Sequence, residues 1–172
     1  MFLCKGNIVY DPDLDILAGV LEVIDRQLAT VRDGCDDPEL ADQFGFFDRA
    51  EHIIGLGFVA CQAYLTATYG FLNIDKPEAL TVGPVHPTGQ RIVRIVNDAA
   101  NFWKHHAEWH RDTSPAKHKQ IQDTFTAVGF PVALDYPLSG ILSVFVGPGG
   151  AAFKPLVAKL AAWRDDLRAM AT

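Results

Sequence analysis

The chain predicts an all-helical bundle of about five or six helices in a single domain, residues 1–172. Three observations predict it. Apolar residues recur at three- and four-residue steps over long stretches. Prolines and small polar residues punctuate the starts of those stretches, and glycines their ends. With 49% apolar and 21% charged residues, 172 residues suffice for a substantial core.

Phe2 to Tyr10 reads as extended. Asp11-Pro12 then supplies an N-cap and a first-turn proline. Leu14, Leu17, Leu21, Ile24, Leu28 and Val31 form the stripe of a first helix that ends near Gly34. A second helix is predicted from Pro38–Gln43 to about Leu72, with a break near Gly45. Phe47, Ala50, Ile54, Phe58, Cys61, Leu65 and Thr68 or Leu72 face its core. Residues 73–90 hold Pro77, Gly83, Pro84, Pro87 and Gly89 and read as a long loop. Thr88 is placed as the cap of a third helix ending between Trp109 and Asp112. Ser114 and Pro115 open a fourth, which Gly129 stops. Tyr136–Val146 fits a short helix or a strand. After the break at Gly147-Pro148-Gly149-Gly150, Phe153, Leu156, Leu160, Trp163 or Arg164 and Leu167 define a last helix.

The net charge of −6 is uneven. Residues 11–51 hold twelve acidic and three basic side chains, a local balance of −9, so the remainder carries +3. A basic face able to meet an acidic partner such as RNA is therefore compatible with an acidic whole. Cys4, Cys35 and Cys61 are odd in number and show no CxxC spacing. That argues against a disulfide framework or cysteine zinc site and leads us to expect a reducing, cytoplasmic setting. The first residues lack the long apolar run of a signal peptide. Ile53–Ile74 carries no formal charge over 22 residues, long enough to cross a bilayer. Its Gly55, Gly57, Gln62, Tyr64 and threonines, and the lack of a second span, favour a fully buried central helix and no membrane partner. Gly55 and Gly57 would let neighbouring helices approach closely.

Candidate chemistry concentrates between Arg91 and Arg111. Arg94, Asp98, Asn101, His105 and Glu108 recur at three- and four-residue steps and share one helix face. Four of the six histidines (His105, His106, His110 and His118) and two of the three tryptophans, Trp103 and Trp109, lie here or just beyond. The run Asn101-Phe102-Trp103-Lys104-His105 resembles the RN-x3-H pattern of the HEPN superfamily. His105 matches the histidine and Asn101 the polar residue before the spacer, while Ala100 occupies the arginine position. The resemblance implies a helical, often dimeric domain of prokaryotic toxin, antiphage or RNA-processing systems. Active members cleave RNA without a metal. It makes His105 the general acid/base, with Asn101 and Lys104 positioning phosphate. Arg94 lies about 16 Å along the helix from His105, too far to replace the missing cation directly. Arg111 and His118 form a second, looser match across Ser114-Pro115.

The same residues support other readings. Arg94, Asp98, Asn101, His105 and Glu108 could close a polar network between helices, with His106, His110 and Arg111 in support. Lys104 and Glu108 could pair on the surface, and Trp103 and Trp109 could simply pack. His106 and His110, four apart, could hold a metal with Glu108, His118 or His52, although the order does not match HExxH. No metal or other cofactor is expected. Walker A and GxSxG patterns are absent, and Cys61 lies in the apolar helix where packing is its expected role. The expected partners are RNA, a second copy of the chain in a homodimer, or a protein bound by a non-catalytic helical module.

Overall fold

The computed structural model describes residues 3–5, 8–34, 36–109, 115–147 and 150–171. The extended start is a short antiparallel hairpin, β1 (Leu3–Lys5) with β2 (Ile8–Tyr10), pairing Cys4 with Val9. The remainder is mainly helical, with eight α-helices among the described residues.

Helix α1 (Pro12–Arg32) begins where expected, because Asp11 accepts the Leu14 amide at 3.0 Å and Pro12 occupies the first turn. Short α2 (Pro38–Gln43) is capped by Asp37. Gly45, at φ +69°, breaks it from α3 (Phe46–Phe71). Phe46 lies against Gly34, and Tyr64 of α3 reaches back to Asp11. Helix α3 therefore runs antiparallel along α1. It also packs on α5 (Ile92–His105) and α7 (Pro137–Val146). Helix α6 (Pro115–Ala127) covers α5, and α8 (Lys154–Met170) closes over α1. Phe58, Cys61, Leu65, Val93, Ile95, Ala99, Phe125, Leu142, Leu156 and Trp163 form one continuous core. Burying each large side chain is worth about 1.5–3 kcal/mol before entropy is set against it.

The glycines of α3 act as the sequence suggests. Trp103 of α5 lies where a Gly55 side chain would be, and Phe153 lies where one at Gly57 would be. Cys61 is fully buried, and burial pushes its thiol far above the range of a reactive cysteine. Among the described residues α3 is the one helix long and apolar enough to span a membrane by length and composition. It is not buried all round, however. Half of its apolar window is covered, while Leu56, Ala63, Ala67 and Gly70 remain exposed.

Three local expectations are corrected. Residues 73–90 are not a plain loop: Pro77 sits in the first turn of the short α4 (Lys76–Ala79), and Val85 bridges Arg91. Thr88 does not cap α5. It hydrogen-bonds His86 Nδ1 at 2.9 Å, and α5 starts at Ile92 without a side-chain cap. The third helix is also shorter than predicted, because the chain tightens into a 3-10 turn at His106–Glu108.

Two polar clamps position the helices. Asp11 Oδ2 accepts from Tyr64 Oη at 2.7 Å and from Arg164 Nη1 at 2.8 Å, all three being buried. Burial pushes the Asp11 carboxyl up, but these hydrogen bonds outweigh it and hold the group below the usual range. Glu51 accepts the Leu138 and Ser139 amides and the Ser139 hydroxyl, capping α7 from α3.

Candidate functional site

A cleft of about 630 Å3 lies between α4, α5 and α6. Its size suits a small organic ligand or a nucleotide. Helix α5 supplies Arg94, Asn97, Asp98, Asn101 and His105, so four of the five residues expected to share a face line one space, and Glu108 does not. Lys76, Pro77 and Leu80 line it from α4, Trp109 from the 3-10 end, and His118, Gln120 and Ile121 from α6.

The floor is a branched network of hydrogen bonds. Asp98 is fully buried and accepts from Asn97 Nδ2 at 2.9 Å, Gln120 Nε2 at 3.1 Å and Thr124 Oγ1 at 2.8 Å. Burial pushes its carboxyl up, against those donors and the Arg94 charge, which favour the anion. Gln62, from α3, donates to Asn97 Oδ1 at 3.0 Å and Asn101 Oδ1 at 2.9 Å. Its carbonyl accepts from Lys104 Nζ at 2.6 Å. Desolvation lowers the Lys104 ammonium from its ordinary value, and the neighbouring Lys76 charge adds to that shift.

The predicted residues therefore divide. Arg94, Asp98, Asn101 and His105 share the cleft. Lys104 does not line it and does not pair with Glu108, because it turns to Gln62. Glu108 faces His105 instead, Oε2 to Nδ1 at 3.8 Å, on an open rim where the His105 side chain is 56% exposed. His106 leaves this face: it stacks on Phe102 at 4.8 Å, with Nδ1 3.1 Å from the Phe102 carbonyl. His110 and Arg111 lie outside the described residues, so neither the His106–His110 metal pair nor the Arg111–His118 match has a described geometry. His52 meets Trp103 edge-on, and His118 stacks on Trp109 at 4.6 Å. Among the described residues, no three metal-ligating side chains come together. Ala100 is fully buried, so the helix position that the RN-x3-H pattern gives to arginine faces the core.

Lys76, Asn97, Gln120, Thr124 and Gln62 were not singled out as site residues from the sequence. The available signal was Gln62, a long polar amide inside 22 uncharged residues, which needs a buried partner. No family model, curated protein or solved structure matches this chain.

Proposed function

We propose that the cleft binds single-stranded RNA and supports its metal-independent cleavage. One observation carries this reading: two imidazoles, His105 and His118, and two cations, Arg94 and Lys76, line the same cleft. Imidazoles exchange protons near neutral pH, and fixed cations offset charge developing on a phosphoryl group. In this reading His105, at the exposed rim, accepts the proton of a ribose 2′-hydroxyl. That oxygen attacks phosphorus and forms a 2′,3′-cyclic phosphate. His118 protonates the departing 5′-oxygen. Lys76 holds the scissile phosphate, taking the place first given to Lys104; Arg94, farther along the helix, holds a neighbouring phosphate of the strand, and Asn101 positions the sugar. The Trp109 ring offers an apolar wall for a base. The toxin or antiphage setting implied by the HEPN resemblance belongs to the same proposal.

The test uses an end-labelled single-stranded RNA in chelator, with double-stranded RNA as control. We expect slow cleavage to a cyclic phosphate, lost in His105→Ala, and binding weakened in Arg94→Ala. Equal cleavage by parent and His105→Ala would sink the assignment. A second reading, a non-catalytic partner-binding module, draws on the Asp98 network and the buried Ala100. It predicts no RNA binding even at low salt.

A further inference from the structure

The outer face of α3 is unusual for a helix in contact with water. No charge occurs from Ile53 to Ile74. Helical spacing aligns Leu56, Val59, Ala63, Ala67 and Gly70 along this face. The bundle leaves most of it open, with Val59 half-buried against the core at its edge. Trp103 of α5 meets α3 at Gly55, while Phe153 and Trp163 meet it at Gly57 and Tyr64, on other sides. Leu56 is 51% exposed, and Ala63, Ala67 and Gly70 are exposed. Ile16, Val20 and Val23, at helical spacing on the adjacent α1, add further exposed apolar surface. Extended apolar surface of this kind marks an interface.

The size pattern along α3 selects the occupant. Bulky Leu56 and Val59 precede Ala63, and small Ala67 and Gly70 follow it. A side chain at Gly70 would meet nothing within 4 Å, so that position is an open notch. A two-fold axis through Ala63 sets Leu56 over the partner's Gly70 and Val59 over the partner's Ala67. Ala63 then meets its own copy, which allows close helix approach. Charge follows the same symmetry. Exposed Arg49 lies at the N-terminal end of this face, about 21 Å from Ala63. Exposed Asp75 lies just past the C-terminal end. The axis brings Arg49 toward the partner's Asp75 at both ends of the contact, while Lys76 turns to the cleft. A parallel arrangement would set bulk on bulk and arginine on arginine.

We propose that α3 is a self-association surface on which a second copy of this chain packs antiparallel, crossing at Ala63. Both clefts stay open, because α5 lies on a different side of α3. Sedimentation equilibrium of the full chain should give twice the 18.9 kDa protomer mass at micromolar concentration. Leu56→Glu should weaken the dimer by roughly tenfold or more, with unchanged circular dichroism. Arg49→Asp should weaken it less, and adding Asp75→Arg should restore it. With Cys4 and Cys35 replaced by serine, Ala63→Cys should cross-link under mild oxidation, whereas Ala67→Cys, set opposite Val59, should not. A monomer at about 100 μM would overturn the proposal, since a stable pair is populated far below that. A dimer indifferent to Leu56→Glu, or a monomer that instead partitions onto neutral lipid vesicles, would overturn it equally.

Discussion

Replacing Gln62 tests whether the polar floor holds the cleft together. The side chain is 8% exposed and joins α3 to α5. Its amide nitrogen serves Asn97 Oδ1 and Asn101 Oδ1, with a longer approach of 3.3 Å to the Asn97 carbonyl. Its carbonyl takes Lys104 at 2.6 Å. Gln62→Leu keeps the approximate volume and removes these bonds. Two neutral hydrogen bonds contribute about 1 kcal/mol each, and the lysine bond adds less than its buried maximum because exposed Lys104 can return to water. Added apolar burial offsets part of the loss, leaving a net cost of about 2 kcal/mol. For a chain of this length that lowers Tm by about 4–8 °C. Gln62→Glu separates hydrogen bonding from packing. The introduced carboxylate still accepts from Lys104 but offers no donor to the two asparagine oxygens, and it is buried near Asp98. Its folded pKa should rise above the ordinary glutamate value. The ionisation penalty is therefore present at neutral pH and is relieved as pH falls through that raised value. Calorimetry and urea titration at several pH values read both variants. A Gln62→Leu change within about 0.5 kcal/mol of zero, the range of ordinary surface substitutions, would refute the reasoning.

Two further predictions concern the bundle. Arg164→Met should cost about 3–5 kcal/mol, because it leaves the Asp11 carboxylate buried and without its counter-ion. In the parent, Asp11 has a depressed pKa, so its contribution is complete above the ordinary value of 3.8 and is lost as pH falls through the folded value. Acid titration of the variant should show a shallower loss over that window, and an unchanged acid limb would contradict the pairing. Gly55→Val should cost about 2 kcal/mol or more, since a branched side chain meets the Trp103 indole. Gly19→Ala, with open space at its exposed site on α1, should instead stabilise by up to about 1 kcal/mol. Chemical denaturation of the pair checks the contrast in sign.

Much of the helical frame was legible because its cues are local. Asp11-Pro12, the α1 stripe and Gly45 act through backbone geometry and nearby side chains. The end of α5 was misplaced because the amphipathic pattern continues through a 3-10 turn, which keeps residues on nearly the same side over one step. Thr88 carried the residue type of a cap, but His86 captured its hydroxyl. The α5 face of the cleft was readable from its spacing. The opposite wall was not, since Lys76 and Gln120 reach it from elements separated in sequence, and periodicity contains no information about which helices meet. Lys104 illustrates the same limit: its surface pairing rule was local, whereas Gln62, 42 residues away, claimed it.

The Asp11–Tyr64–Arg164 contact has a kinetic consequence. It joins residues 153 positions apart. As the chain leaves the ribosome, α1 and α3 can meet early, but Asp11 and Tyr64 then face each other without the guanidinium. That contact cannot form until α8 has been synthesised and docks. The resulting loop closure is among the longest this chain can make, and such closures slow folding. Helix α8 is therefore a latch on the α1–α3 pair, and a nascent chain stalled before Arg164 should hold that pair loosened.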